Sequence, residues 1–312
     1  MKKFISLTLA LLMLGTLLVA CKKEEETAEE TETTETVEEQ PTVSEITVEE
    51  LANYVIVYSS KATDEVASAA GTIASAFSTK FGVTMKARDD SYMDRTGELV
   101  IEEYEILLGD TNREESKQFL SELKYKDKGY MMIGKKIVVG AHDFSTTASM
   151  ASEFASFIRK SDKKAEVFFT QEMNTVKSGE YTYGAMTVGG ADISEYRIVY
   201  PDGAGLEAVM ATKVKRAIAE SCGVILETVS DAQEATDKEI LIGKTNRDVD
   251  LSTLDGAEVG KGFVGTYGSK LLICGNGSTG VSTATDVFIA LFKDGEKADT
   301  FEIDVTKLAP QS

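Results

Sequence analysis

The 312-residue chain has no tryptophan, a single histidine, three cysteines and three prolines. Without Trp, any flat surface for stacking on a sugar ring must be built from Tyr alone. One His, His142, and three Cys leave too little for a His- or Cys-rich metal centre or a His-assisted nucleophile. A site in this chain must come from carboxylates, Arg, Lys, Tyr and amides, and no cofactor is implied. Positive charge is also scarce: 33 Lys and Arg stand against 52 Asp and Glu, a formal charge of -19. Such a surface repels phosphate backbones and anionic lipid, so nucleic-acid binding and electrostatic membrane adhesion are excluded as functions. What is present in ordinary amount is apolar material, 42 % of residues, on a chain long enough for two domains.

The apolar material begins at once. Residues 1–20 join a basic start, Lys2 and Lys3, to an apolar run from Phe4 to Leu18, then small residues before Cys21. The run is too short and wrongly flanked for a spanning helix and reads as a secretory leader. Leu18-Val19-Ala20-Cys21 resembles the bacterial lipobox. That resemblance implies that Cys21 is lipidated, becomes the first mature residue and anchors the chain to membrane lipid on the extracytoplasmic side. Residues 21–45 are almost all Glu, Thr, Lys and Ala, too polar to offset their ordering entropy, and are expected to form a disordered acidic tether.

Beyond the tether the chain says one thing twice. Glu105-Ile106-Leu107-Leu108-Gly109-Asp110-Thr111-Asn112-Arg113 returns as Glu239-Ile240-Leu241-Ile242-Gly243-Lys244-Thr245-Asn246-Arg247. Each copy is a short buried strand that stops at Gly and enters a polar turn. Tyr54–Tyr58 is answered by Tyr196–Tyr200, and a helix follows each. Its apolar stripe is Val66, Ala69, Ile73 and Phe77 in the first copy, and Leu206, Met210, Val214 and Ile218 in the second. Gly82 and Gly223 stand where C-terminal caps belong. Val83–Met85 and Val224–Leu226 read as the next strands. After the repeated phrase each copy shows a hairpin, a helix with Ser145 or Thr279 as N-cap, and an alternating strand at Val167–Phe169 or Phe301–Ile303. From the phrase onward the copies stay in step at a displacement of 134 positions, which marks a duplication. The expected fold is α+β: two modules of order β-α-β-β-β-β-α-β, residues 46–170 and 186–305. A linker at 171–185 joins them and a tail at 306–312 follows.

This element order around Glu-Ile-Leu-hydrophobic-Gly-x-Thr-Asn-Arg is similar to a known non-catalytic α/β domain. That domain precedes the catalytic barrel of family 20 β-hexosaminidases and family 67 α-glucuronidases, and has a zincin-like fold without a zinc site. The resemblance implies association with carbohydrate handling. It carries no catalytic residue over, because those sit on a barrel of about 250 residues and only Thr306–Ser312 follow module two.

Four residues of the phrase are candidate ligand contacts: Asn112, Arg113, Asn246 and Arg247, which can grip a sugar hydroxyl or carboxylate. The competing reading has Asn closing the turn and Arg pairing with a nearby acid, and recurrence in both copies favours that reading as a fold requirement. Tyr181 and Tyr183, in the linker, are the candidate exposed aromatics. Module one has 22 residues from Val83 to Tyr104 where module two has 15 from Val224 to Lys238. The excess gathers Asp89, Asp90, Asp94, Glu98, Glu102 and Glu103 in one loop whose spacing is not that of an EF-hand. It reads as a solvated acidic loop, His142 as a loop residue, and Cys222 and Cys274 as two buried thiols. The sequence therefore points to a lipid-anchored surface protein with a non-enzymatic role in glycan or cell-envelope handling. The alternative is a structural or protein-interaction role. A carbohydrate hydrolase ranks last, for want of an acid/base pair.

Overall fold

Module one takes its shape from short β-branched runs, which pair as strands, and from long Ala- and Ser-rich stretches with one apolar stripe, which coil as helices. The computed structural model describes residues 45–307; the leader, Cys21, the tether through residue 44 and residues 308–312 lie outside them. Module one runs β1 (Glu45–Thr47), β2 (Val55–Tyr58), α1 (Asp64–Phe81), β3 (Ala87–Asp89), β4 (Glu105–Leu108), α2 (Glu114–Ser121), β5 (Lys128–Ile133), β6 (Lys136–Ala141), α3 (Phe144–Lys160), β7 (Val167–Thr170) and β8 (Thr175–Lys177). Module two runs β9 (Tyr183–Val188), β10 (Ala191–Asp192), β11 (Arg197–Tyr200), α4 (Gly205–Cys222), β12 (Thr228–Ser230), β13 (Glu239–Ile242), β14 (Gly262–Tyr267), β15 (Lys270–Gly275), α5 (Gly277–Ala290) and β16 (Ala298–Glu302). The fold class is α+β.

Each module centres on one sheet, ordered β3-β2-β4-β6-β5-β8 in the first and β12-β11-β13-β15-β14 in the second. In both, the first four strands are parallel and the hairpin partner runs against them. Side-chain alternation then sorts the faces. Ile56, Ile106, Leu108, Ile137 and Val139 meet α1 and α3, with Phe77 and Phe154 fully buried between them. Val57, Leu107 and Val138 face the other way, onto Phe119, Leu120 and Leu123. Burying each such side chain stabilises the fold by about 1.5–3 kcal/mol. Both helix-ending glycines adopt the left-handed conformation, φ 74° at Gly82 and 86° at Gly223, and both donate to the carbonyl four residues back.

Five expectations need correction. First, α2 follows the phrase in module one, where the sequence reading had no helix; in module two only a 3-10 turn at Ser252–Leu254 covers that face. Second, the strands after α1 and α4 pair four residues later than Val83 and Val224, because Met85 and Leu226 are buried as plugs beneath the helix ends before the ladders begin. Third, Asp143, not Ser145, caps α3 by accepting the Thr146 N–H at 2.8 Å, and the residue before α5 is Asn276, not Thr279. Fourth, the linker shrinks to 178–182, since β8 joins the first sheet and β9 belongs to module two. Fifth, the two modules do not close alike: β1 runs antiparallel to β7, whereas β9, which holds the matching Met186–Val188, runs parallel to β16 and carries β10 on its other edge. The two modules thus differ at their closing strands.

Candidate functional site

The phrase opens with Glu105, and a side chain there shares a sheet face with Leu107, the face that α2 covers. Its carboxylate is fully buried. Arg113, eight positions on, returns to it with Nε 3.1 Å from Oε2 and Nη2 3.1 Å from Oε1. Lys136 Nζ lies 3.1 Å from the same carboxylate and 3.1 Å from Glu115 on α2. Burial alone would raise the Glu105 pKa, but Arg113, the Glu102 N–H and Lys136 outweigh it and hold the group below its ordinary value. Module two repeats the device with more cations. Glu239 meets Arg197 at 2.8 Å, Arg247 at 3.0 Å and Lys270 at 2.8 Å. Against the upward pull of burial, these partners and the Thr236 N–H hold Glu239 at about 2.

The Asn of the phrase is spent in the same way. Asn112 donates its N–H to Asp90 Oδ2 at 2.9 Å and its side-chain amide to the Asp90 carbonyl at 2.8 Å, while the Ser60 N–H takes Asp90 Oδ1 at 2.8 Å. In module two Asn246 makes both bonds to Asp231, at 2.7 and 2.8 Å, and the Asp202 N–H completes the set at 2.9 Å. Each clasp ties together the chain leaving three parallel strands, at the carboxyl edge where open α/β sheets commonly bind ligands. The sequence alone places Asp90 in an acidic loop and does not mark Asp231. The available signal was an Asp at the same place after the third strand of each copy.

The linker tyrosines do not form an exposed platform. Tyr183 is 1 % exposed, stacked on Phe301 at 4.6 Å, and donates its hydroxyl to the Phe292 carbonyl at 2.8 Å. Its aromatic body makes it core. Tyr181 is half-buried at the joint between modules: its oxygen accepts the Lys126 N–H at 2.7 Å, and its hydroxyl donates to Asp127 Oδ1 at 3.1 Å. Burial first, then the Asp127 charge, push the Tyr181 phenol up to about 12, so it remains a donor at neutral pH. Asp127 also accepts from the N–H groups of Gly179 at 2.8 Å and Lys124 at 3.2 Å, and the Tyr125 N–H crosses to the Gly223 carbonyl at 3.1 Å. Both modules fall in one unit.

No family model and no curated protein matches this chain. Its function must therefore be argued from the residues left over once the internal contacts are counted. His142 bonds the Leu123 carbonyl through Nε2 at 3.0 Å and stacks on Tyr125. Cys222 and Cys274 are free, buried and on opposite faces of the second sheet, which prevents a disulfide between them. Burial pushes both thiols up, Cys274 to about 12. A groove between the modules is lined by Asp110, Lys117 and His142 on one side and Val224 and Ile225 on the other, with no tyrosine among its described residues.

The acidic loop of module one is different. Met93 bridges Leu99, and Asp94 closes the turn by accepting from the N–H groups of Thr96 at 2.8 Å and Glu98 at 3.0 Å. The result is a hairpin that presents Tyr92, Met93, Leu99 and Ile101, exposed by 50, 57, 41 and 57 %. Arg88 lies 4.8 Å over the Tyr92 ring and 3.3 Å from Glu102. Asp94 and Glu98 lie exposed in the same hairpin, and module two has no counterpart because it lacks the extra residues.

Proposed function

We propose that this is a membrane-tethered, non-catalytic lipoprotein of the cell envelope, and that it works by displaying the acid-rimmed apolar hairpin of module one to a protein partner. The observation that carries this reading is the exposed set Tyr92, Met93, Leu99 and Ile101 on a well-closed turn. Apolar groups clustered in the open mark interaction sites. Asp89, Asp94, Glu98, Glu102 and Glu103, with Arg95 the one cation among them, favour a partner whose apolar patch is ringed by Lys or Arg. The glycan reading has less to rest on: Arg113, Arg247 and Tyr183 are spent on internal partners, and Asn112 and Asn246, though exposed, bond to Asp90 and Asp231. Hydrolysis is disfavoured by the same chemistry: Glu105 and Glu239 are held as ions by Arg and Lys, whereas a general acid needs a raised pKa.

A photo-crosslinking side chain placed at Ile101 of the full chain on cells tests this. The expected result is crosslinking to one protein with a basic surface, abolished by Tyr92→Ser with Met93→Ser and absent when the probe sits at Val209. Saturable glycan binding lost in that double variant, with no protein crosslinked at Ile101, would replace the protein reading with the glycan one.

A further inference from the structure

In module one the outer strand of the hairpin has a neighbour on each side. β5 pairs with β6 and also, antiparallel, with β8, through Lys128↔Lys177, Gly129↔Val176 and Tyr130↔Thr175. Its counterpart β14 pairs only with β15 among the described residues. The hairpin turn tells which groups this leaves open. Gly268 and Ser269 form a two-residue turn, so Tyr267 and Lys270 are the closing hydrogen-bonded pair. Phe263, Gly265 and Tyr267 then turn their backbone groups toward β15, while Gly262, Val264 and Thr266 turn theirs outward. Module one has the same phase: Met132, the equivalent of Thr266, donates its N–H away from β6 to the Asn174 side chain at 2.9 Å.

Natural edge strands are usually guarded by Lys, Pro or a very short length. β14 has the sequence Gly-Phe-Val-Gly-Thr-Tyr, six residues with neither charge nor proline, in a chain of net charge -19. We propose that a second copy of this chain pairs with β14 across a two-fold axis, joining the two second-module sheets into one continuous sheet. Three observations favour a copy over another strand. The fold already seats β8 antiparallel on the equivalent edge, and a strand related to itself by a two-fold axis perpendicular to the sheet is antiparallel by symmetry. With Val264 opposite its own counterpart, Gly262 faces Thr266, and every outward-turned residue of both strands finds a partner. Finally, an uncharged strand lets two strongly acidic chains meet without apposing carboxylates, and it brings Tyr267, 47 % exposed, opposite Lys261 of the second copy. Edge pairing alone buries little area, so the association is weak, and confinement to a membrane would strengthen it.

Residues 308–312 are the competing occupant, because the displacement of 134 places them at the sequence position of β8. Sedimentation equilibrium of the full chain in density-matched detergent, up to sub-millimolar concentration, decides between them. The expected result is a monomer–dimer equilibrium weakened by about tenfold or more in Val264→Pro. That change removes an outward N–H and takes no bond from β15. Thr266→Pro, at an exposed position, should do the same and guards against misfolding of the first variant. A chain that stays monomeric throughout, or a dimer unchanged in both variants, overturns the proposal. So does a dimer that forms only after residues 308–312 are removed, which would give the edge to the chain's own tail.

Discussion

Glu239→Ala is expected to destabilise the protein by about 3–5 kcal/mol, because it strands three cations around a vacated buried position. Arg197, Arg247 and Lys270 all converge on that carboxylate, which is fully buried. Alanine leaves them facing one another with only neutral acceptors as partners, the carbonyls of Glu234, Gln233, Asp231 and Thr236 and the Asn246 side-chain oxygen. Thermal unfolding should show a Tm lower by roughly 10 °C. Glu105→Ala should cost less, since Lys136 keeps Glu115. Equal losses from the two substitutions would show that the surplus of cations in module two is not what matters.

The same group fixes the response to acid. Its folded pKa is depressed, so its contribution is fully present above the ordinary carboxylate value of 4.5 and is lost as pH falls from there toward about 2. Wild-type stability should therefore fall steeply across that window. In Glu239→Gln the fall should be shallower, because this titration is gone. Denaturant midpoints measured every half unit of pH would show it.

Asp127→Ala is expected to be the second most damaging change and to act on the joint. Its carboxylate accepts from Lys124, Gly179 and Tyr181 and is 7 % exposed. Losing it leaves three donors short of a partner, at a cost of about 2–4 kcal/mol. The loop that carries the Tyr125–Gly223 bond would loosen with it. Calorimetry should then resolve two transitions, one per module, where the parent shows one. A single transition at the parent temperature would mean that this loop does not couple the modules.

Much of this architecture was legible in the chain. The phrase, the glycine caps, the hairpins and the long helices all rest on local patterns of three to eighteen residues, and local patterns are what periodicity reveals. α2 was not legible because its eight residues bring only two apolar side chains, Phe119 and Leu120, inward, too few to set a period. The four-residue slip of β3 and β12 has a related cause: Val83–Met85 and Val224–Leu226 have strand-like composition but are spent sealing the core below a helix end. Arg113 and Asn112 were correctly placed at a strand end, yet their partners were beyond reach of the sequence. Asp90 lies 22 residues from Asn112, and nothing local announces such a pairing. Tyr183 misled for the opposite reason. A Tyr in a linker looks exposed until a strand forms there and turns it onto Phe301.

The unequal cation sets around the two buried glutamates carry a consequence for synthesis of the chain. Two modules with central sheets of the same strand order risk swapping strands while they fold, because each offers the other a similar slot. Were β13 to enter the place of β4, Glu239 would find Val55 where it needs Arg197, together with Lys136, which α2 already engages through Glu115. Were β4 to enter the place of β13, Glu105 would meet Arg197 and Lys270 and lose Lys136. Each misplacement buries a carboxylate among the wrong neighbours. The unequal networks would thus penalise the exchange of two otherwise similar strands.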